Sequence, residues 1–243
     1  MKYLQAWLFY GLYTVLTITI AILVIIARIF GRDIAWQVGK LWGLTGNALL
    51  FVICGIRVKI EGQENIPDVP CVYAVKHQST WETTTLPLAL PPFAWILKKE
   101  LMLIPFFGWA LYALGAIAIN RSNPRAALKQ VNEKGVAQIK TGRSVVIFPE
   151  GTRSAVGEKG KYQPGVILLA KKAAVPIVPV AHNAGLCWPK GTILKYSGTI
   201  TLRILPPISA EDVVERKRND LLEEIEQSIE ETCTALGAGV SKG

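Results

Sequence analysis

Val72-Tyr73-Ala74-Val75-Lys76-His77-Gln78-Ser79-Thr80-Trp81-Glu82 reads as a strand that delivers a histidine to its end, then a turn, then the start of a helix. The run from Val72 to Val75 is short and apolar, with strand character. A carboxylate follows the histidine by five positions, and on one continuous α-helix side chains at that spacing point about 140° apart. His77 therefore belongs in the turn and Glu82 in the first helical turn if the two are to meet. A carboxylate hydrogen-bonded to one imidazole nitrogen fixes the tautomer and supports the charge formed when the other nitrogen takes a proton. Ser79 to Glu82 also fits a capping box, with Ser79 as N-cap and Glu82 reaching back to its N–H. Both readings stand open at this point.

Outward from this stretch, short apolar runs alternate with helical ones from Arg57 onward. Strands are expected at 58–61, 72–75, 94–97, 116–120, 145–148 and 177–181, and helices at 81–88, 103–114, 124–139 and 165–172. This alternation predicts an α/β fold with a mixed, largely parallel sheet flanked by helices. Sites in such folds gather at the carboxyl ends of strands, and His77, Arg121 and Glu150 each fall just past one. In Phe148-Pro149-Glu150-Gly151-Thr152-Arg153-Ser154 the glycine admits close backbone approach, and N–H groups with an arginine fork make an anion cradle. The bland alternative is a tight turn with a solvated Arg153. Arg121 repeats the pattern of strand then cation; Lys98 and Lys99 add charge at the same edge or snorkel at a membrane surface. His182 has no carboxylate near it in sequence and reads as a structural residue. Residues 192–196 and 199–205 suggest a hairpin, Pro206-Pro207 ends the sheet, and 210–236 reads as one packing helix with Leu222, Ile225, Ile229 and Cys233 on its apolar stripe.

Half of the 243 residues are apolar, 51%, more than a soluble domain requires. No charged residue lies between Lys2 and Arg28, and 7–26 is long enough for the roughly 20 residues that cross a hydrocarbon layer. Without a cleavage site it is expected to remain as a membrane helix, with Trp7, Tyr10 and Tyr13 as an interfacial belt. A second apolar stretch, 41–56, is shorter and holds Gly43, Gly46 and Asn47. Arg28, Arg32 and Lys40 between the two argue against a double crossing, leaving one crossing plus an interfacial segment, or two helices dipping into one leaflet. Residues 1–56 are thus expected to anchor a domain at 57–243. The formal net charge is +9 although 211–231 hold nine acids and three bases, so the body is strongly basic and suits phosphates. Cys54, Cys71, Cys187 and Cys233 are far apart and lack C-x-x-C spacing, so neither a disulfide framework nor a zinc site is indicated. They are expected as small buried hydrophobes in a reducing setting. There is no Walker A loop, and Gly239-Val240-Ser241-Lys242-Gly243 follows a helix rather than a strand, so it is no nucleophile elbow.

His77-x4-Glu82, Gly115 to Arg121, Glu150-Gly151-Thr152-Arg153 and Val175-Pro176-Ile177-Val178-Pro179, in that order over about 57–207, resemble the glycerolipid acyltransferases, and within them the bacterial branch acting on 1-acyl-glycerol-3-phosphate. The resemblance implies transfer of an acyl chain from acyl-CoA or acyl carrier protein to the sn-2 hydroxyl of that lysolipid, giving phosphatidic acid. It implies His77 as base with Glu82 as its carboxylate, and Lys98, Arg121, Glu150, Gly151, Thr152 and Arg153 as substrate-binding residues. It implies no cofactor or metal, a membrane lipid rather than nucleic acid as partner, and a bacterial inner membrane location with the domain facing the cytoplasm. Two departures stand out: Glu82 replaces the family's aspartate, lengthening the arm by a methylene, and the usual Phe-Lys-x-Gly reads Tyr162-Gln163-Pro164-Gly165, with Lys159 and Lys161 as substitute cations. Another lysolipid acceptor such as lyso-ornithine lipid, a non-catalytic binder of anionic lipid, and a hydrolase remain as alternatives.

Overall fold

A computed structural model describes residues 2–120 and 122–239. Among them seven strands form one sheet: β1 (Ile56–Glu61), β2 (Val72–Val75), β3 (Phe93–Lys98), β4 (Ile117–Ile119), β5 (Ser144–Ile147), β6 (Ile177–His182) and β7 (Gly198–Ile204), in the order β1-β7-β6-β2-β5-β3-β4. β6, β2, β5, β3 and β4 run parallel; β7 pairs antiparallel with β6 and carries β1 parallel to itself. The sheet is mixed and largely parallel, as the alternation predicts. Every residue of β2 and β5 is buried, because helices cover both faces and such strands read as unbroken apolar runs. The pleat divides them: Tyr73 and Val75 join one core layer with Trp81, Phe93 and Trp95, while Val72 and Ala74 join another with α5 (Pro124–Lys140), α6 (Gly165–Ala173) and the C-terminal helices. All four cysteines are free and buried.

The N-terminal segment belongs to the first layer. α1 (Lys2–Ala27) and α2 (Arg32–Cys54) form a hairpin whose Phe9, Tyr13, Trp36 and Leu50 share a core with Tyr73 and Trp81. Only Lys2–Phe30, among the described residues, is long and apolar enough to cross a membrane. Its outward face bears Trp7, Leu8, Leu12, Val15, Ile22 and Leu23. α2 starts well before the expected 41–56, and its glycines are packing points rather than signs of a short membrane segment. A Cβ on Gly43 would lie 2.6 Å from the Thr84 carbonyl, and one on Gly46 2.8 Å from the Thr84 methyl. α3 (Trp81–Ala89) is thereby drawn against α2, and Tyr13 and Thr84 share a hydrogen bond of 2.6 Å.

Three further expectations change. Residues 192–196 form no strand: Lys195 folds inward, its ammonium 4.0 Å from the ring centroid of Tyr10 and 4.4 Å from that of Trp188, donating to Tyr10 Oη at 2.8 Å. Burial lowers its pKa to about 8. α1 captures this segment, and β7 finds its partner in β1. The helix expected at 103–114 shrinks to α4 (Phe107–Ala113), because Pro105 and the positive φ of Phe106, 60°, break its start. Past the short α7 (Ala184–Cys187), the helix expected at 210–236 splits into α8 (Ala210–Glu215) and α9 (Arg218–Ala235), since Lys171 of α6 takes the carbonyls of Val214 and Arg216. Leu221, rather than Leu222, then shares the buried stripe with Ile225, Ile229 and Cys233.

Candidate active site

β2 ends where Lys76 N–H donates to the Val180 carbonyl, which leaves His77 at the carboxyl edge of the sheet. The chain turns through Gln78–Thr80, with Ser79 Oγ accepting from Trp81 N–H at 3.1 Å and donating to the Trp188 carbonyl at 2.7 Å. Glu82, fully buried in the first turn of α3, faces both ways. Its Oε2 meets His77 Nδ1 at 2.5 Å, while its Oε1 accepts from the backbone N–H groups of Gln78 at 2.7 Å and Ser79 at 2.6 Å. The base pairing is realised, and of the capping box only its carboxylate half: Glu82 reaches back to the Ser79 N–H, but the N-cap is Thr80, without a side-chain cap bond, and Ser79 Oγ takes the Trp81 N–H instead. His182 Nε2 adds a contact to Oε1 at 3.2 Å. Burial alone would raise the Glu82 pKa, but the charge on His77 and the hydrogen bonds from His182 and His77 outweigh it and hold the carboxyl at about 2.

A second set of buried charges fixes the backbone around the ring. Lys76 Nζ lies 2.8 Å from Glu150 Oε1 and 2.6 Å from Glu230 Oε1 of α9. Burial works against this ammonium; Glu150 and Glu230 prevail and raise its pKa. Tyr162 Oη also donates to Glu230, at 2.9 Å. Glu150 Oε2 accepts from His77 N–H at 2.6 Å, and its Oε1 from Ser154 Oγ at 2.8 Å. Ser154 N–H donates to the His77 carbonyl at 2.8 Å. The loop 149–154 is therefore stitched to the histidine turn. Phe148 stacks on the His77 ring with centroids 4.0 Å apart, and Trp95 stacks behind Phe148. The His77 side chain remains 22% exposed, and among the described residues nothing hydrogen-bonds its Nε2. Such a nitrogen, opposite one held by an ionised carboxylate, can take a proton from a hydroxyl set against it.

The expected site residues fall in different places. Glu150 is turned inward and saturated by Lys76, Ser154 and His77 N–H, so it clamps the loop rather than facing a ligand. Gly151 has φ of 70°, the left-handed region that suits glycine, and Thr152 is exposed. Arg153 Nη1 donates to Thr80 Oγ1 at 2.8 Å, beside the start of α3, and Lys190 holds the Arg153 carbonyl at 2.6 Å. Lys98 ends β3, half-exposed, with Nζ 3.9 Å from Glu100. Arg121 lies outside the described residues, as do 240–243. Lys159, a substitute cation, pairs instead with Glu226. Lys76, Ser154, Tyr162, His182 and Glu230 were not among the expected site residues. Between α1, α2, α3 and α4 lies a small apolar cavity of about 50 Å³, bounded by Ile20, Val24, Trp42, Thr83, Pro87 and Trp95.

A sheet of this topology, with a histidine and its carboxylate at the carboxyl edge, matches the acyltransferase family model over residues 57–183; the chain belongs to that family and is an enzyme of it. It is 48% identical over 185 residues to a Pseudomonas aeruginosa protein named 1-acyl-sn-glycerol-3-phosphate acyltransferase, covering 76% of this chain and 72% of the relative. A Saccharomyces cerevisiae protein of the same name is 32% identical over 192 residues, covering 76% of this chain and 63% of its own length. The solved structure of the Thermotoga maritima 1-acyl-sn-glycerophosphate (LPA) acyltransferase PlsC superposes with a TM-score of 0.82 at 25% identity, over 99% of this chain and 98% of that one.

Proposed function

We propose that the chain transfers an acyl group from an acyl thioester to the sn-2 hydroxyl of 1-acyl-sn-glycerol-3-phosphate, giving phosphatidic acid. One observation carries this reading: His77 Nε2 is unpartnered among the described residues while Nδ1 is locked to buried Glu82, in a chain whose relatives bear that activity's name. His77 takes the hydroxyl proton as the oxygen attacks the thioester carbonyl. The tetrahedral intermediate then expels the thiolate, which recovers the proton from the imidazolium. General base catalysis of this kind supplies roughly 10²–10⁴ in rate, and positioning of the two substrates supplies much of the remainder. Arg153 and Arg121, with Lys98 on the same edge, hold the acceptor phosphate, and the Gly151–Thr152 turn lets the backbone approach it. The thioester, on CoA or acyl carrier protein, carries the activation, so no cofactor is required.

The hairpin of α1 and α2 lies in one leaflet of the inner membrane, with the α/β domain toward the cytoplasm. This reading is supported by α1 packing against the rest of the chain through Phe9, Tyr13, Ile20 and Val24 while its opposite face is apolar and exposed. The test is thioester-dependent acylation in vesicles. His77→Ala should abolish transfer and leave membrane association intact, whereas near-native turnover would refute the base. A panel of acyl-CoA and acyl carrier protein donors, with phosphorylated and unphosphorylated lysolipids, decides both substrates.

A further inference from the structure

The chain contains two histidines, and both rest on one carboxylate: His77 Nδ1 on Glu82 Oε2, and His182 Nε2 on Oε1. The parallel register of β2 and β6, in which Val75 faces Val180, brings His182 beside His77 two residues further on. Its ring is wholly buried, edge-on to Trp81. Its neighbours dictate its tautomer. Nδ1 lies 3.2 Å from the N–H of Ala184 and must accept, so the proton sits on Nε2, bonded to the Lys76 carbonyl at 2.8 Å with Glu82 Oε1 beside it at 3.2 Å. A second proton would set two N–H groups against each other at Nδ1.

We propose that His182 is a positioning residue for the transfer reaction: its fixed Nε2–H holds Oε1 of Glu82, keeps Oε2 on His77, and moderates how strongly the carboxylate draws the His77 proton. This rests on His77 being the base. A carboxylate deprived of this donor becomes more basic and stabilises the imidazolium, so Nε2 of His77 becomes free to accept a proton only at higher pH. The other charged or titratable groups around the pair are engaged elsewhere. The Lys76 ammonium is on Glu150 and Glu230, Arg153 is on Thr80, Tyr162 is on Glu230, and the Cys233 thiol of α9 is on the His182 carbonyl.

His182→Gln sets an amide N–H where Nε2–H stands; His182→Asn sets it a methylene short and leaves Oε1 without it. In vesicle assays of the full chain, the acid limb of the kcat/KM profile should move up by about 0.5–1 pH unit in the Asn variant, with activity on that limb lowered roughly threefold to tenfold. The Gln variant should stay near native. Loss of rate with an unmoved limb, or equal shifts in both variants, would overturn the proposal. His77→Ala is run in parallel: retained turnover there overturns the base and this inference together, whereas abolished turnover with an unmoved limb in His182→Asn overturns this inference alone. Should the Asn variant fail to fold, ¹⁵N-histidine NMR of the detergent-solubilised native chain decides, since only two rings contribute. His182 should carry its proton on Nε2, with Nδ1 bare; the opposite tautomer overturns it.

Discussion

Glu82→Gln separates geometry from charge at the proposed base. Oε1 of Glu82 faces N–H groups from Gln78, Ser79 and His182, and only an acceptor can satisfy them. The new amide must keep its oxygen there and turn its NH₂ toward His77. Nδ1 then has to accept, so the ring proton moves to Nε2, the nitrogen required to be free. The equivalent tautomer reversal in a Ser-His-Asp triad costs about 10⁴ in turnover, and a loss of ~10³–10⁴ is expected here with KM unchanged for both substrates. The hydrogen bonds survive but lose their charge, each bond weakening by about 1 kcal/mol. Release from burying a carboxylate offsets part of this, leaving a net cost of about 2 kcal/mol, or about 4–8 °C for a chain of this size. Thiol release from the acyl donor in mixed vesicles gives the rate, and tryptophan fluorescence on heating gives the stability. A folded variant turning over within about tenfold of native would refute the tautomer argument.

Further expectations concern the surroundings. Arg153→Ala should raise the KM for the phosphorylated acceptor about tenfold or more, equivalent to a lost charge-assisted hydrogen bond, with little change in kcat; an unchanged KM would remove the phosphate from this loop. Lys76→Met leaves buried Glu150 and partly buried Glu230 without their cation and should cost about 3–5 kcal/mol in denaturant titration. Adding Glu230→Gln should recover part of that loss, and no recovery would mean the triad is not coupled. Because the folded pKa of Glu82, about 2, lies below its ordinary 4.5, its contribution of about 3 kcal/mol is present above pH 4.5 and is lost as pH falls toward 2. The stability gap between native chain and Glu82→Gln should therefore close across that window, and a constant gap would count against the assignment. Gly43→Val drives a side chain into the Thr84 carbonyl and should cost about 1–3 kcal/mol by overpacking, with transfer falling as α3 shifts; native stability would place the helix contact elsewhere.

What could be read ahead of the coordinates was whatever is local. The strand, turn and helix of 72–89 follow from neighbours within a few positions, and so does the meeting of His77 with Glu82 at a spacing of five. Parallel pairing followed from the alternation of short apolar runs with helical ones. What failed depends on distant partners. Residues 192–196 hold strand-forming Thr192, Ile193 and Tyr196, yet Lys195 is taken by Tyr10, 185 positions earlier. The break after Glu215 comes from Lys171 on another helix. His182 lacks a nearby carboxylate only along the chain; the sheet order brings one to its ring. Glu150 sits in a motif shaped like an anion cradle, but Lys76, an interior cation with no local signature, turns it inward.

The tie between Lys76 and Glu230 spans 154 residues, which sets an order of events during synthesis. Translation at 5–20 residues per second separates the two by about 8–30 s. The hairpin of α1 and α2 is made before either partner of this tie. Of the described helices α9 is made last, so the ammonium that holds the Glu150 loop waits for its second carboxylate until most of the sheet has been synthesised.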